Sequence, residues 1–148
     1  MNPDQVLLRS FIGEPLSIDS NPLAAALRTR LLALDGTSGT VRLDFEPGSQ
    51  FLQGRGVVQG GIVATMLDFA AAFAGLATLA EGQTAATASI AINFHSAVRA
   101  GRLIAIGSVE RAGKRLIFTR ALLQTEDGRT CAAGNAIMSV LADTPAVE

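Results

Sequence analysis

The chain predicts an α+β domain in which an antiparallel sheet of five to six strands curls around one long central helix. Three observations predict it. Between Gly60 and Ala80 the only ionisable residue is Asp68. Segments with strand-like patterning flank this stretch in the order β-β-α-β-β-β-β. The later segments are joined by short turn sequences, which favours antiparallel pairing. A sheet must bury one face, and a helix apolar on most sides belongs in a core, so the sheet wraps the helix.

Pro3 to Phe11 predicts a short amphipathic helix, and Ser20-Asn21-Pro22 marks the start of a second one within Ile18 to Leu27. Residues 1–22 read as a peripheral segment. Arg28 to Leu34 and Thr40 to Phe45 form two strands that turn at Asp35-Gly36-Thr37-Ser38-Gly39. Val41, Leu43 and Phe45 share one face; Arg42, Asp44 and Glu46 share the other. Pro47-Gly48 breaks the pattern, and Ser49 to Gln59 runs as a loop into the central helix.

Along that helix Ile62, Met66, Phe69, Phe73 and Leu76 recur in one bulky stripe. The residues in register with Asp68 are small: Gly60, Gly61, Ala64, Ala71, Ala72 and Gly75. This face leaves room beside the carboxylate for a ligand or another backbone. A membrane span is the rival reading by length. It would place Asp68 near the bilayer centre, without aromatic belts or a clear basic cluster at the flanks.

Glu81-Gly82-Gln83 ends the helix. Four strands follow as a meander, roughly Thr84 to Ala97, Arg102 to Arg111, Arg115 to Thr125 and Arg129 to Leu141. Their turns are Arg99-Ala100-Gly101, Ala112-Gly113-Lys114 and Glu126-Asp127-Gly128. In the first strand Ala86, Ala88, Ile90, Ile92 and Phe94 alternate with Thr87, Ser89, Ala91 and Asn93. Residues 142–148 read as a frayed tail.

A length of 148 residues fits one domain, 1–148. With 49% hydrophobic and 17% charged residues, much of the surface is expected in subunit contacts. A net charge of −1 argues against a nucleic-acid partner. The single Cys131 fits a reducing cytoplasm, and the opening residues carry no signal-peptide pattern. One histidine, His95, excludes a His-rich metal site. His95 and Cys131 read as ordinary surface or packed residues.

The element order and the stretch Gln53 to Asp68, QGRGVVQGGIVATMLD, resemble the hotdog fold and, within it, the PaaI-like acyl-CoA thioesterases. That family places an Asn or Gln before a short loop, a glycine-bearing triplet at the helix start and an acid two turns along. Gln53, the pair Gly60-Gly61 and Asp68 match those positions, and Gln59 stands where many members have His. ASIAINFHSAVRAGRL and VERAGKRLIF resemble the family's strand and hairpin. The resemblance implies an acyl-CoA substrate, no metal or redox cofactor, and a dimer-built homo-oligomer with its active site at the dimer interface; a tetramer is the expected assembly, with the dimer as the alternative. Thr87 matches the family's hydroxyl residue on the strand after the helix. Its alternation sets it opposite Ile90 and Phe94, toward the subunit interface.

Thioester hydrolysis needs a polarised carbonyl and an activated water or nucleophile. A helix N-terminus offers free N–H groups, so Gly60 N–H is the candidate oxyanion donor, with Gly61 and Gln59 on the substrate side. Asp68 is the candidate general base, or the nucleophile through an anhydride. Gln53 orients the water or the thioester. Gly60 and Asp68 lie roughly 12 Å apart along one helix at about 1.5 Å per residue. One reacting carbon cannot touch both, so either one is not catalytic or two antiparallel copies share the site. Arg99 and Arg102 around Gly101, and Arg111, Lys114 and Arg115 around Gly113, are candidates for the CoA phosphates. The alternative is a non-catalytic acyl-CoA binder. A hotdog hydratase needs a His beside an acid, a context His95 lacks.

Overall fold

The computed structural model describes residues 1–19 and 21–143. In chain order they form α1 (Pro3–Ser10), α2 (Pro22–Ala26), β1 (Arg30–Asp35), β2 (Thr40–Phe45), a 3-10 turn (Ser49–Phe51), α3 (Gly60–Leu76), β3 (Gln83–Phe94), β4 (Leu103–Ala112), β5 (Leu116–Thr125) and β6 (Thr130–Ala142). The strands make one antiparallel sheet, ordered β1-β2-β4-β5-β6-β3, with α3 packed on its inner face. Ser20 and residues 144–148, parts of the expected helix start and tail, lie outside the described residues. Asn21 takes the N-cap position of α2.

The expected four-strand meander is corrected. β3 pairs with β6, not β4. It therefore lies three strand spacings from β4, about 14 Å at roughly 4.8 Å each. α3 carries the chain between β2 and β3, so β3 arrives at the far edge, and β4 pairs with β2. Residues 95–102 make the crossing back, which a hairpin turn could not span. The crossing is pinned: His95 and Ser96 N–H donate to the Cys131 carbonyl at 2.8 and 3.2 Å, and Val58 N–H donates to the Val98 carbonyl at 2.7 Å.

The alternation on β2 holds for Val41, Leu43 and Phe45, which are buried. Asp44, on the opposite face, is also buried, at 2% exposure. Two arginines account for it. Arg30 donates Nε to Oδ1 at 3.0 Å and Nη2 to Oδ2 at 2.6 Å, while Arg102 donates Nε to Oδ2 at 2.8 Å. Burial pushes the Asp44 carboxyl upward, but the hydrogen bonds and charges of the two guanidinium groups together outweigh it and hold the group below the usual carboxylate range.

α3 ends at Leu76, short of Ala80. The chain tightens there: Thr78 N–H donates to Gly75 at 3.1 Å and Leu79 N–H to Leu76 at 3.2 Å. The N-terminal segment closes this end. The Gln5 amide donates to the carbonyls of Leu76, Ala77 and Leu79 at 3.0, 3.0 and 2.8 Å. The Asn2 amide donates to those of Ala80 and Gln83 at 2.8 and 2.7 Å. Two buried side chains thereby hold the carbonyls of the last α3 residue and of the segment that leads from α3 into β3.

The bulky stripe is corrected in part. Met66 and Phe73 are buried, but Ile62, Phe69 and Leu76 are only half-buried. Val63, Leu67, Ala70, Ala71, Ala74 and Gly75 complete the buried face. Small residues serve the helix–sheet approach: a methyl on Gly107 of β4 would overlap the Ala70 carbonyl. Phe69 bridges Phe45 and Phe73, with ring centroids 6.3 and 5.6 Å away. Among the described residues no helix is long and apolar enough to cross a membrane.

Candidate functional site

α3 presents Asp68 on its partly exposed face, one turn along from Ala64 and one turn before Ala72. The Thr87 hydroxyl of β3 donates to Asp68 Oδ1 at 2.8 Å. The expectation that Thr87 faces away from Ile90 and Phe94 is overturned by a β-bulge. Between Thr87 and Ser89 the pairing with β6 shifts register: Thr87 pairs with Met138 and Ser89 with Ile137, leaving Ala88 as the extra residue. One extra residue reverses the alternation. Thr87 thus shares the helix-facing side with Ile90, Ile92 and Phe94, within reach of the acid.

The helix start is a second, separate assembly. Residues 53–57 form a tight turn in which Gln53 N–H donates to the Val57 carbonyl at 2.8 Å, and Gly56 adopts a φ of +71° that favours glycine. Gln59 N–H donates to the Phe51 carbonyl at 2.9 Å, and the Gln59 carbonyl accepts from Ile62 and Val63 at 2.9 and 3.1 Å. This fixes the direction from which the chain enters α3. The Gln59 side chain is exposed and makes no capping bond. The N–H groups of Gly60 and Gly61 have no acceptor among the described residues.

Gln53 and Gly60 line one open cleft of about 690 Å³, together with Arg55, Phe94 and Val98. The structure therefore brings Gln53 to Gly60 and Thr87 to Asp68, but leaves the two pairs apart along α3. Arg55 and Phe94 are additions that sequence reasoning missed. The signal for Arg55 was its place between Gly54 and Gly56, at the tip of the turn that starts at Gln53. The Phe94 ring lies 3.7 Å from where a Gly60 Cβ would stand, so only a small residue keeps that approach open.

The cationic candidates divide. Arg99 bridges to Val57 and sits beside the helix start. It also lines a cavity of about 610 Å³ with Arg102 and Arg129. Arg102 is held by Asp44 and by Glu126 at 3.5 Å, which marks it as structural. Arg111, Gly113, Lys114 and Arg115 are exposed at the β4–β5 hairpin, where Gly113 N–H donates to the Leu116 carbonyl at 2.8 Å. That hairpin lies at the opposite end of β4 from Arg99, about 30 Å away at roughly 3.4 Å per residue. One protomer does not bring these two groups of cations to one ligand end. His95 is exposed and Cys131 is buried. Among the described residues no cluster of His, Cys, Asp or Glu could hold a metal ion.

The two sheet edges differ. β1 is partly covered by bridges from Ile12 and Pro15. β3 is an edge strand of 12 residues with no charged side chain, and Phe94 at its end is 55% exposed. Such an edge is a template for pairing with another strand.

A family model described as thioesterase superfamily matches residues 55–132. No curated protein matches the chain. Among solved structures, a phenylacetic acid degradation-related protein from Ralstonia eutropha JMP134 is 28% identical, with a TM-score of 0.78 over 90% of this chain and 96% of that one. A thioesterase family protein from Silicibacter pomeroyi is 25% identical, with a TM-score of 0.81 over 94% and 98%. A Bacillus halodurans protein solved with CoA is 29% identical, with a TM-score of 0.65 over 68% and 66%. The PaaI protein of Escherichia coli, 21% identical with a TM-score of 0.75 over 83% and 86%, shares the fold.

Proposed function

Because the chain belongs to the thioesterase superfamily and has its hotdog fold, we propose that it hydrolyses an acyl-CoA thioester to a carboxylic acid and free CoA at a site completed by a second copy. The observation that carries this reading is Asp68, the one acid of an apolar helix, held at 2.8 Å by the Thr87 hydroxyl on a face left open. Thr87 engages Oδ1, so Oδ2 is available to a water.

Asp68 takes the proton from water as its oxygen attacks the thioester carbonyl carbon; in the covalent variant the carboxylate itself attacks and water opens the anhydride. In both routes the carbonyl oxygen gains charge, which the Gly60 N–H stabilises at the positive end of α3. The C–S bond then breaks and CoA leaves as the thiolate. Gln53 orients the thioester in the cleft it shares with Gly60. Gln59 and Gly61, the exposed neighbours of Gly60 in the chain, contact the substrate from either side of it, and Arg99 takes a phosphate of CoA. A second copy pairing at the open β3 edge brings its own Asp68 toward this Gly60. It also brings its Arg111, Gly113, Lys114 and Arg115 hairpin, which is remote within one protomer. Dimers built this way pair into tetramers. The buried Cys131 fits a reducing cytoplasm.

The test is thiol release from a panel of acyl-CoA esters, comparing the native protein with Asp68→Asn. The proposal expects release by the native protein and a loss of at least a hundredfold in the variant, with acyl-CoA binding intact. Binding without release by either protein would leave an acyl-CoA binder, and equal release would make Asp68 structural.

A further inference from the structure

A cavity of about 160 Å³ lies between α1, α3 and β3. Resting on the thioesterase reading above, we propose that this cavity receives the far end of a straight-chain acyl group and that α1 sets the chain length.

Its position follows from the register of the two site elements. Ala85, in the cavity wall, is two residues from Thr87 on the same face of β3. Leu76, also in the wall, is two turns beyond Asp68, with Ala72 between them on that side of the helix. The cavity therefore lies in the direction that a chain leaving the Asp68–Thr87 pair takes along α3, past the small, half-buried side chain of Ala72. Phe73 and Leu8 form apolar walls, and Leu7 and Ile18 line it as well. At the rim, the Thr84 hydroxyl donates to Asp4 Oδ2 at 3.4 Å, so these polar groups satisfy one another. Asn21 completes the lining on the side of Asp4 and Thr84, and the space is open to solvent there. A volume of about 150 Å³ matches a benzene-sized group, so the apolar side takes the last several carbons of a chain.

A short or directly attached aryl group does not reach this cavity from Asp68. From Asp68 to Leu76 the helix advances roughly 12 Å, which a zigzag of about 1.5 Å C–C bonds covers in about eight to ten carbons. The end wall is fixed. The Gln5 amide ties α1 to the end of α3 and the residues after it, and the Asn2 amide ties it to Ala80 and to Gln83 at the start of β3. A longer chain must displace that clasp or leave the cavity.

The experiment measures kcat/KM for thiol release across even-numbered saturated acyl-CoA esters from acetyl to palmitoyl, with native protein, Leu7→Trp and Leu7→Ala. Leu7 is 43% exposed, so neither change empties the core, and the melting temperature checks the fold. The native protein is expected to prefer octanoyl-CoA or decanoyl-CoA. Leu7→Trp should lower the decanoyl-to-butyryl ratio at least tenfold, the scale of adding or removing methylenes in an apolar pocket. Leu7→Ala should move the preference to longer chains. A native preference for acetyl-CoA, or an unchanged profile in both folded variants, overturns the proposal. Decanoyl-CoA and butyryl-CoA affinities are also measured in Asp68→Asn, with and without Leu7→Trp. Absence of release from every ester refutes the thioesterase reading, while this second arm still decides on the cavity. A decanoyl preference abolished by Leu7→Trp supports it, and equal affinities overturn it.

Discussion

The Thr87 hydroxyl engages one oxygen of Asp68, and in the proposed mechanism this determines which oxygen meets water. A hydrogen bond to a charged group contributes about 1.5–3 kcal/mol. Thr87→Val is therefore expected to lower kcat about tenfold to a hundredfold, and Thr87→Ser to restore most of it; steady-state thiol release measures both. Thr87 was legible as a hydroxyl on the strand after the helix, but its face was not. The bulge at Ala88 carries no glycine or proline to announce it, and regular alternation read across it gives the wrong side. Asp44 was hidden by the opposite problem. Alternation set it correctly on the outer face, but its burial depends on Arg30 and Arg102, which lie 14 and 58 residues away in sequence. Its carboxyl is held below its unfolded value near 3.9. Its contribution is therefore fully present above that value and is lost as pH falls through the lower folded value. Asp44→Asn should cost about 2 kcal/mol at neutral pH, at the modest end for a buried pair because both guanidinium groups reach solvent. Urea unfolding of both proteins should show this difference shrinking below about pH 4.

Among the elements, α3 was the most readable because its composition alone separates it from its surroundings. Its sides were less readable. Small residues next to an acid suggest ligand space, yet Ala71 is buried and Gly75 faces Met138 of the sheet. Only the sheet's geometry distinguishes those uses. Gly107→Ala should destabilise the protein by about 1–3 kcal/mol, since the added methyl must displace the Ala70 backbone. A denaturant midpoint unchanged from native would show that α3 does not lie as close as described. The strands themselves were legible within a few residues. The partner of β3 was not, because the eight residues 95–102 contain a turn sequence that suits a hairpin. Their anchoring to Cys131 and Val58 is a long-range property that local sequence does not carry.

For the whole molecule, the spacing along α3 and the open β3 edge point the same way. The helix rise keeps Gly60 and Asp68 of one chain from meeting one carbon, and an uncharged edge strand invites a second copy. In the proposed dimer a twofold relation supplies the missing half of each site. That expectation was legible from helix geometry, whereas which edge would pair depended on the strand order. The most direct test mixes two variants, Asp68→Asn and Gly60→Pro. Proline suits the first helical position, and the extended backbone of Gln59 accepts a following proline, so Gly60→Pro removes the N–H while retaining the helix. Each variant alone should be inactive. In purified hybrids one of the two sites regains both groups, so the account predicts thiol release at about half the native rate per dimer. Verified hybrids no more active than either parent would contradict a site shared between chains.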